Sequence, residues 1–219
     1  MASRKPTKKY YFSVEGETEH WYLKWLQDQI NGTECAVYTV SIDCPVKKNP
    51  LKHAKSLVIT SKIEIYHIFD YEGDEEIHVQ RFKDAMDNMK KAEKIGKQIK
   101  YKSGYSNFTF DLWIILHMID CNSAYAHRKQ YIAAINKAYN EKFQDMDEFK
   151  KEENFKRCLK KLQLCNVVHA VNRAKQIARK NEENGYVLHR YNGYPYYREN
   201  PSLAVWEAIE KILSDCKLV

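Results

Sequence analysis

Two apolar segments of this chain each end in a cluster of acidic residues, and clustered carboxylates can hold a divalent metal ion. The first segment ends at Val14 and is followed by Glu-Gly-Glu-Thr-Glu at residues 15–19. The second segment, residues 63–69, is followed by Asp-Tyr-Glu at residues 70–72. Carboxylates without basic neighbours in the sequence repel one another, and a hard cation such as Mg²⁺, which prefers oxygen ligands, relieves that repulsion. A bound ion of this kind could activate water and stabilise charge on a phosphodiester.

Predicted strands and helices alternate through the first half of the sequence. Strands are predicted where β-branched and aromatic residues cluster, and helices where apolar residues recur every three or four positions. The predicted strands are residues 8–14, 35–43, 63–69 and a short one near 99–101, and the predicted helices are residues 18–30, 51–61 and 75–97. Such alternation is typical of an α/β fold with a mainly parallel sheet flanked by helices. In such sheets ligand sites form at the carboxyl ends of the strands, where both acidic clusters lie.

The second half of the sequence is predicted to be all helical. The predicted elements are a loop at residues 103–106, a buried helix at 110–118, helices at 131–139, 147–162, 167–183 and 201–213, and a tyrosine-rich loop at 191–199. We therefore expect residues 1–123 to form the α/β core. Residues 124–219 should form a C-terminal helical region that packs on that core as one unit.

The composition excludes several classes of protein. A chain of 219 residues with ordinary apolar and charged fractions can bury a substantial core. It has no apolar run of the about 18 residues that a membrane span needs. The six cysteines include no Cys-x-x-Cys pair, so the sequence predicts free thiols and neither a zinc site nor a disulfide scaffold. We expect a soluble, cytoplasmic protein with no membrane partner.

Positive charge is concentrated in two blocks that could attract nucleic acid. The net charge is +7, and basic residues outnumber acidic ones by eight to three in residues 78–106 and by ten to two in residues 150–180. These blocks are either solvated helix faces or surfaces for a polyanion such as DNA or tRNA. The tyrosine-rich segment could stack bases or could pack as a loop. The candidate nucleic-acid-binding residues are Lys90, Lys94, Arg173, Lys175, Arg179, Tyr194 and Arg198.

The two acidic clusters resemble the metal-binding motifs of TOPRIM domains, which occur in topoisomerases, primases and OLD-type nucleases. Residues 15–19 match the Glu-Gly-x-Thr-Glu form of the OLD-like branch. Asp70 and Glu72, separated by one residue, are similar to the Asp-x-Asp motif of that superfamily. The first motif is moderately specific, whereas the second is weak by itself.

Two further blocks resemble RloB-like proteins. Residues 106–117, Ser-Asn-Phe-Thr-Phe-Asp-Leu-Trp-Ile-Ile-Leu-His, resemble the Asn-Pro-x-Phe-Glu-x-Trp-x-x-x-His block of that family, and Asn-Pro-Ser at residues 200–202 resembles a later one. Together the blocks cover nearly the whole chain. The departures are Phe108, Asp111 and Glu72, where proline, glutamate and aspartate are usual.

This resemblance implies a TOPRIM-like fold and a nuclease that depends on Mg²⁺ or Mn²⁺. RloB-like proteins are found beside restriction-modification and other anti-phage systems, so the implied role is that of an antiviral effector acting on DNA or on a structured RNA such as tRNA. Glu15 is the implied general acid or base. The implied catalytic residues are Glu15, Asp70 and Glu72, the implied metal ligands are Glu15, Glu19, Asp70, Glu72 and Asp111, and the implied supporting residues are Asn107, His117 and Asn200.

Each of these residues also has a plainer structural explanation. Glu15 and Glu19 could simply complement the N-terminus of a helix, and Asp70 could cap a turn. His117 lies on the apolar face of the predicted buried helix, where we expect a hydrogen-bonded core histidine and not a catalytic one. Asn107 could cap that helix or orient a metal ligand, and the sequence does not separate the two.

A second function is also open. The sequence has no Walker loop and no Gly-x-Gly-x-x-Gly motif, so ATP-dependent control would require a partner such as an ATPase or another defence protein. The chain could also form a homo-oligomer. The alternative to a nuclease is a non-catalytic nucleic-acid-binding or sensor subunit of a defence complex.

A metal site requires Glu15 and Asp70 to meet across neighbouring parallel strands, ~4.8 Å apart. The crowding of the two carboxylates should raise their pKa values.

Overall fold

A parallel four-stranded sheet forms the centre of the N-terminal part of the molecule. The computed structural model describes residues 5–123, 125 and 127–219. The strands are β1 (Thr7–Val14), β2 (Thr39–Asp43), β3 (Ile63–Tyr71) and β4 (Ile99–Asn107). They are arranged in the order β2-β1-β3-β4, and all three pairings are parallel. The predicted α/β fold with a mainly parallel sheet is therefore confirmed.

Helices cover both faces of this sheet. The crossover helices are α1 (Glu17–Asn31), α2 (Pro50–Ser56) and α3 (Glu76–Ala92). Helix α1 buries a stripe of apolar residues with three- and four-residue spacing. This stripe packs on the sheet face that also receives the C-terminal helices, whereas α2 and α3 pack on the opposite face.

The C-terminal part consists of helices and one small hairpin. The helices are α4 (Asp111–Leu116), α5 (Tyr131–Tyr139), α6 (Met146–Phe149), α7 (Glu152–Leu159), α8 (Leu164–Glu183) and α9 (Val205–Asp215), and the hairpin strands are β5 (His189–Tyr191) and β6 (Tyr194–Tyr196). All residues of α4 are buried, and they share one apolar core with α1, α5, α8 and α9. The predicted boundary between residues 123 and 124 falls on Ala124, which lies outside the described residues.

The strand order creates a crevice between β1 and β3. From β1 the chain crosses to β2 at one edge of the sheet, and it then returns past β1 to β3. Connections that leave neighbouring strands in opposite directions open a crevice at their carboxyl ends, where ligands bind in α/β proteins. Both acidic clusters of the sequence lie at the carboxyl ends of these two strands.

Strand β4 is longer than predicted, and the loop predicted at residues 103–106 is wrong. These small polar residues continue β4 beside β3. Gly104 allows the close approach, because a Cβ at this position would lie 3.3 Å from the carbonyl oxygen of His67. On the side of β4 that faces away from β3, the Asn107 backbone amide donates to the carbonyl of Ser202 at 2.8 Å. Pairing on both sides therefore fixes a segment whose composition is typical of a loop.

The C-terminal part is not all helical, and the tyrosine-rich segment is not a simple loop. Strands β5 and β6 pair antiparallel around Asn192 and Gly193, whose φ angles are 52° and 89°. A two-residue turn with two positive φ angles is the type I′ hairpin turn, for which Asn-Gly is the preferred sequence. The helix predicted at residues 147–162 is also divided into α6 and α7, because Lys151 takes an extended conformation between them.

The thiols and the helix lengths agree with the expectations from composition. All six cysteines are free. Four of them, Cys44, Cys121, Cys158 and Cys216, are buried. None of the helices in the described part of the chain is both long and apolar enough to cross a membrane.

Candidate functional site

Glu15 and Asp70 meet across strands β1 and β3. Glu15 follows Val14, the last residue of β1, and Asp70 is the penultimate residue of β3. The two strands are paired, with Val14 opposite Ile68. As a result, the Glu15 carboxyl group lies beside Asp70, whose backbone amide acts to lower the pKa of Glu15 against the effect of burial. The two residues therefore share the carboxyl edge of the sheet, as a common metal site requires.

Glu19 folds back toward this pair from the first turn of α1. Its Oε2 atom accepts a hydrogen bond from Thr18 Oγ1 at 3.0 Å, and its side chain is buried. Gly16 makes room for it, because a Cβ at this position would lie 2.8 Å from Glu19 Oε2. With any larger residue at position 16, the Glu19 carboxylate would have to move from this position.

Asp111 reaches the cluster from the N-terminus of the buried helix α4. Thr109 Oγ1 donates to Asp111 Oδ2 at 2.6 Å, and Asp111 has no exposed surface. The preceding turn depends on Phe108, which has a left-handed φ of 59° and donates its amide to the carbonyl of Tyr71 at 2.7 Å. This conformation is costly for a bulky residue, so the bond to β3 helps to hold the turn that positions Asp111.

Lys150 places a positive charge among these carboxylates. Its Nζ atom lies 2.9 Å from Asp111 Oδ2 and 3.5 Å from Thr109 Oγ1. Asp111, and then Asp70 and Glu19, raise the pKa of this lysine against the opposing effect of burial. The sequence analysis missed Lys150, because it is the first residue of a basic block and nothing in its neighbours distinguishes it from solvated lysines.

Burial and mutual repulsion raise the pKa values of three carboxyl groups in the cluster. Burial raises the pKa of Glu15 to about 7, and repulsion from Glu19 adds to the rise. Burial also raises the pKa of Glu19. The pKa of Asp70 lies well above its usual range because the group is buried and Glu19 is close. The prediction of raised pKa values is confirmed for Glu15 and Asp70, but burial is the larger cause and crowding adds to it.

The donor set suits a hard divalent cation. The Oδ1 atoms of Asp70 and Asp111 are buried and have no hydrogen-bond partner, which is unfavourable unless another ligand satisfies them. Oxygen ligands of this type are those that Mg²⁺ prefers. Within the described residues, however, no group of three or more His, Cys, Asp or Glu side chains is arranged to hold an ion. Lys150 supplies the compensating charge in this arrangement.

Glu72 lies near the cluster but is surrounded by basic side chains. It adds to the repulsion that raises the pKa of Glu15. Its carboxylate is 2.7 Å from His78 Nδ1, 3.5 Å from an Arg128 nitrogen and 4.0 Å from an Arg81 nitrogen. Glu72 is therefore paired on the rim of the site, whereas Asp70 and Asp111 each retain an unpaired oxygen inside it.

The predicted supporting residues have structural partners. His117 is fully buried, with Nδ1 2.9 Å from the Trp113 carbonyl and Nε2 3.1 Å from the Tyr22 hydroxyl. The expectation of a core histidine is confirmed, and burial lowers its pKa to about 4. Asn200 accepts a hydrogen bond from the Tyr131 hydroxyl at 2.9 Å and so ties its segment to α5.

Asn107 neither caps α4 nor contacts a carboxylate of the cluster. Its Nδ2 atom donates to the carbonyls of Arg198 at 3.1 Å and Glu199 at 2.6 Å. Its Oδ1 atom is buried without a hydrogen-bond partner. The capping interpretation is therefore wrong, and the side chain holds the segment that contains Arg198 at the carboxyl end of β4.

The candidate nucleic-acid-binding residues are dispersed over several surfaces. Lys94, Arg179 and Arg198 are exposed. Lys90 pairs with Glu93 at 3.1 Å. Tyr194 is 8% exposed, which corresponds to the packed alternative for the tyrosine-rich segment and not to base stacking.

Two other candidates on α8 have structural contacts. Arg173 binds Asp120 at 2.9 Å and also donates to the carbonyl of Leu116 at 2.8 Å. Lys175 forms an ion pair with Glu210. These contacts fasten α8 to its neighbours, so the basic stripe predicted on this helix is partly used within the molecule.

Fold and site together define an α/β protein with a buried carboxylate cluster at the switch point of a parallel sheet. The sequence matches the family of RloB-like proteins over residues 10–212. The chain therefore belongs to the RloB-like family. A search of curated proteins and a search of solved structures each gave no significant match.

Proposed function

We propose that this RloB-like protein is a nuclease of the TOPRIM type that depends on Mg²⁺ or Mn²⁺ and acts in the cytoplasm in antiviral defence. Its substrate would be DNA or a structured RNA such as tRNA. The observation that carries this proposal is the meeting of Glu15, Glu19, Asp70 and Asp111 at one sheet edge, in a crevice, where the pKa values of Glu15, Glu19 and Asp70 are raised. Such clustering of perturbed groups is typical of catalytic sites.

The residues of the cluster divide into two chemical roles. Asp70, Asp111 and Glu19 would hold the ion, which when bound would supply activation of water and stabilisation of charge on the phosphodiester. Glu15, whose pKa of about 7 is close to physiological pH, is suited to take up and release a proton in the reaction. Lys150 is suited to stabilise negative charge beside Asp111.

A matched pair of variants tests this proposal. Glu15→Gln removes the proton-transferring group, whereas Glu17→Gln changes an exposed glutamate of the same motif. With DNA and total tRNA as substrates, we expect cleavage that requires Mg²⁺ or Mn²⁺ and that EDTA abolishes. Glu15→Gln should reduce this cleavage on the order of 100-fold or more, whereas Glu17→Gln should not reduce it. Metal-independent cleavage, or equal cleavage by Glu15→Gln and wild type, would contradict the mechanism.

The ion pair of Lys150 supports a second candidate, a non-catalytic nucleic-acid-binding or sensor subunit. Because the lysine already compensates Asp111 at 2.9 Å, the cluster could be stable without a metal. Calorimetric titration with Mn²⁺ separates the candidates. A nuclease should bind Mn²⁺ in a manner that Asp70→Asn abolishes, whereas a sensor should bind nucleic acid with a steep salt dependence and no metal requirement. In either case an ATPase, another defence protein or a second copy of the chain could be the controlling partner.

A further inference from the structure

A groove between helices α1 and α7 begins at the carboxylate cluster. Glu19 lies in the first turn of α1, and Lys150, which interacts with Glu19, lies two residues before the start of α7. One turn further, the rings of Trp21 and Phe155 are 5.9 Å apart. The two helices therefore run side by side and in the same direction, away from the site. Along α1, Trp25 is ~9 Å from Glu19 at the helical rise of about 1.5 Å per residue.

Aromatic and basic side chains line this groove. It contains a cavity of about 310 Å³. Trp21 and Trp25 are four residues apart and so lie on one face of α1. The lining residues are Trp21, Lys24, Trp25, Lys156, Leu159 and Lys160, together with His20 and the acidic Asp28. Lys156 Nζ lies 5.6 Å from the centroid of the Trp21 ring, within the range of a cation–π interaction.

The tryptophans are only partly used by the protein core. Trp25 packs on Tyr22, with ring centroids 5.7 Å apart, and Trp21 packs on Phe155. Both indoles nevertheless remain partly exposed toward the cavity. On the facing helix, Lys160 is exposed, and its side chain has no hydrogen bond or ion pair among the described residues. Aromatic faces and an unpaired cation are thus both open to a ligand.

We propose that this groove binds an unpaired strand of nucleic acid, with bases stacked on Trp21 and Trp25 and phosphates close to Lys156 and Lys160. Stacking on aromatic rings combined with a basic groove is the usual way in which proteins hold single strands, because every base has a face that can stack. A paired base has no such face available, so a duplex cannot use the indoles. This inference rests on the proposed function, and it specifies a single-stranded segment or loop as the substrate.

A second basic cavity serves as a comparison. Strand β4 and the β5–β6 hairpin enclose about 640 Å³ with Lys62, Lys90, Lys100 and Lys102 in the lining. It adjoins the N-terminal half of β4, whereas the carboxylate cluster lies at the carboxyl end of the sheet. Its one neighbouring aromatic side chain from the hairpin, Tyr194, is buried. This cavity offers charge without exposed aromatic faces.

Binding measured in EDTA tests the inference without cleavage. The ligands are a labelled 20-nucleotide unstructured oligonucleotide and the duplex of the same sequence. We expect the single strand to bind about 10-fold more tightly or better, and the double variant Lys156→Glu with Lys160→Glu to weaken that binding by about 10-fold. The charge-matched double variant Lys100→Glu with Lys102→Glu should retain wild-type affinity. Equal binding of single strand and duplex, or a loss confined to the Lys100 and Lys102 variant, would overturn the inference.

Tryptophan substitutions separate stacking from charge. Trp25→Ala should weaken single-strand binding by about 5-fold or more, whereas Trp25→Phe, which keeps an aromatic face, should restore most of it. Quenching of tryptophan fluorescence on binding should decrease in Trp25→Phe but persist in Trp206→Phe, which alters an indole on α9 beside Lys175. Circular dichroism of each variant verifies folding. Unchanged affinity in a folded Trp25→Ala would count against stacking.

The outcomes distinguish this inference from the proposed nuclease. Glu15-dependent cleavage with equal use of duplex and single strand would reject the groove and retain the nuclease. Single-strand binding that depends on Trp25, together with no metal-dependent cleavage, would reject the nuclease and support a binding protein that uses the same groove.

Discussion

Two pairs of polar residues bring strands β1 and β3 together, and the two pairs differ in their charge and in their surroundings. Ser13 and His67 are fully buried, and the Ser13 hydroxyl lies 2.8 Å from His67 Nδ1. The His67 ring lies on the face of the sheet that α2 and α3 cover, where it stacks on the Phe69 ring with centroids 5.1 Å apart. A few residues further along, Glu15 and Asp70 bring two acidic groups together at the sheet edge.

The difference between the pairs lies in what burial does to their charge. The Ser13–His67 pair is neutral, since burial lowers the pKa of His67 to about 3, and its hydrogen bond offsets the cost of burial. In the Glu15–Asp70 pair, like charges compete, so the folded chain holds the groups in an unfavourable state that a cation or a proton relieves. Five predictions test this contrast, from the largest expected effect to the smallest.

Asp70→Asn should have the largest effect on activity. Removing this carboxylate should abolish Mn²⁺ binding and lower metal-dependent cleavage on the order of 100-fold or more. The same change should stabilise the metal-free protein at pH 8, because it removes one of the repelling charges. Ser13→Ala is the control, and it should leave cleavage unchanged while lowering the free energy of unfolding by about 1 kcal/mol. Unchanged cleavage in Asp70→Asn would remove the functional distinction between the pairs.

Lys150→Met should destabilise the protein more than any other single change in the cluster. It leaves Asp111, whose carboxylate is fully buried, without its cation. Loss of one partner of a buried ion pair costs about 3–5 kcal/mol, and we expect the lower end because 36% of the lysine side chain is exposed. Urea unfolding at pH 8 measures the loss, which Asp111→Asn in the same chain should partly reverse. A stable Lys150→Met protein would show that the lysine is not the compensating charge.

Glu15 should make the metal-free protein less stable as the pH rises. The carboxyl group has a pKa of about 7 in the folded chain against 4.5 as its reference value, so the folded state retains a proton that the unfolded state has released. The free energy of unfolding therefore falls between about pH 4.5 and pH 7, by up to about 3 kcal/mol. Glu15→Gln should reduce this fall, and Glu17→Gln should not. Urea unfolding at pH 5 and pH 8 provides the comparison.

His67 should produce the opposite pH dependence. Its pKa is lowered from 6.5 to about 3, so below pH 6.5 the unfolded chain binds a proton that the folded chain excludes, and stability is lost as the pH falls. His117, with a pKa lowered to about 4, adds to this loss. A Glu15→Gln protein should therefore lose stability mainly on the acid side. If its stability still declined from pH 5 to pH 8 as in wild type, Glu15 would not be the group responsible.

Gly16→Ala should have the smallest effect on stability and a selective effect on the site. The added methyl group would lie 2.8 Å from Glu19 Oε2, so the glutamate side chain must move. The backbone at Gly16 is extended, and replacing glycine by alanine at such a helix start costs about 0.5–1 kcal/mol. Titration with Mn²⁺ should show weaker binding, by about 10-fold. Wild-type metal affinity would mean that Glu19 is not a ligand.

The sequence was sufficient to predict the sheet and its acidic edge because those features are local. Apolar strands followed by acidic residues identified β1 and β3, and the alternation of elements predicted parallel pairing. The hairpin had a local signal as well, in Asn192-Gly193, but the density of tyrosines obscured it. Residues 103–106 had no such signal, because their strand conformation depends on pairing with β3 and with the segment near Ser202.

Lys150 and the α1–α7 groove could not be predicted, because both depend on how distant segments pack. Lys150 meets Asp111, which lies 39 positions earlier in the chain. Trp21 and Trp25 are among the apolar residues whose spacing predicts the helix at residues 18–30. Only the position of α7 leaves their outer faces open. Charge runs and aromatic spacing indicate that such surfaces can exist, but tertiary packing decides which residues face them.

The left-handed backbone conformation at Phe108 limits which residues of the family consensus can be introduced to stabilise this protein. Proline is usual at the corresponding position of the RloB-like block, and replacing residues by the family consensus is a common route to a more stable variant. Here the pyrrolidine ring would fix φ near −65° where the chain has 59°. It would also remove the amide that donates to Tyr71. A consensus-designed version of this chain should therefore retain phenylalanine at position 108, or accept asparagine or glycine, which tolerate such a backbone.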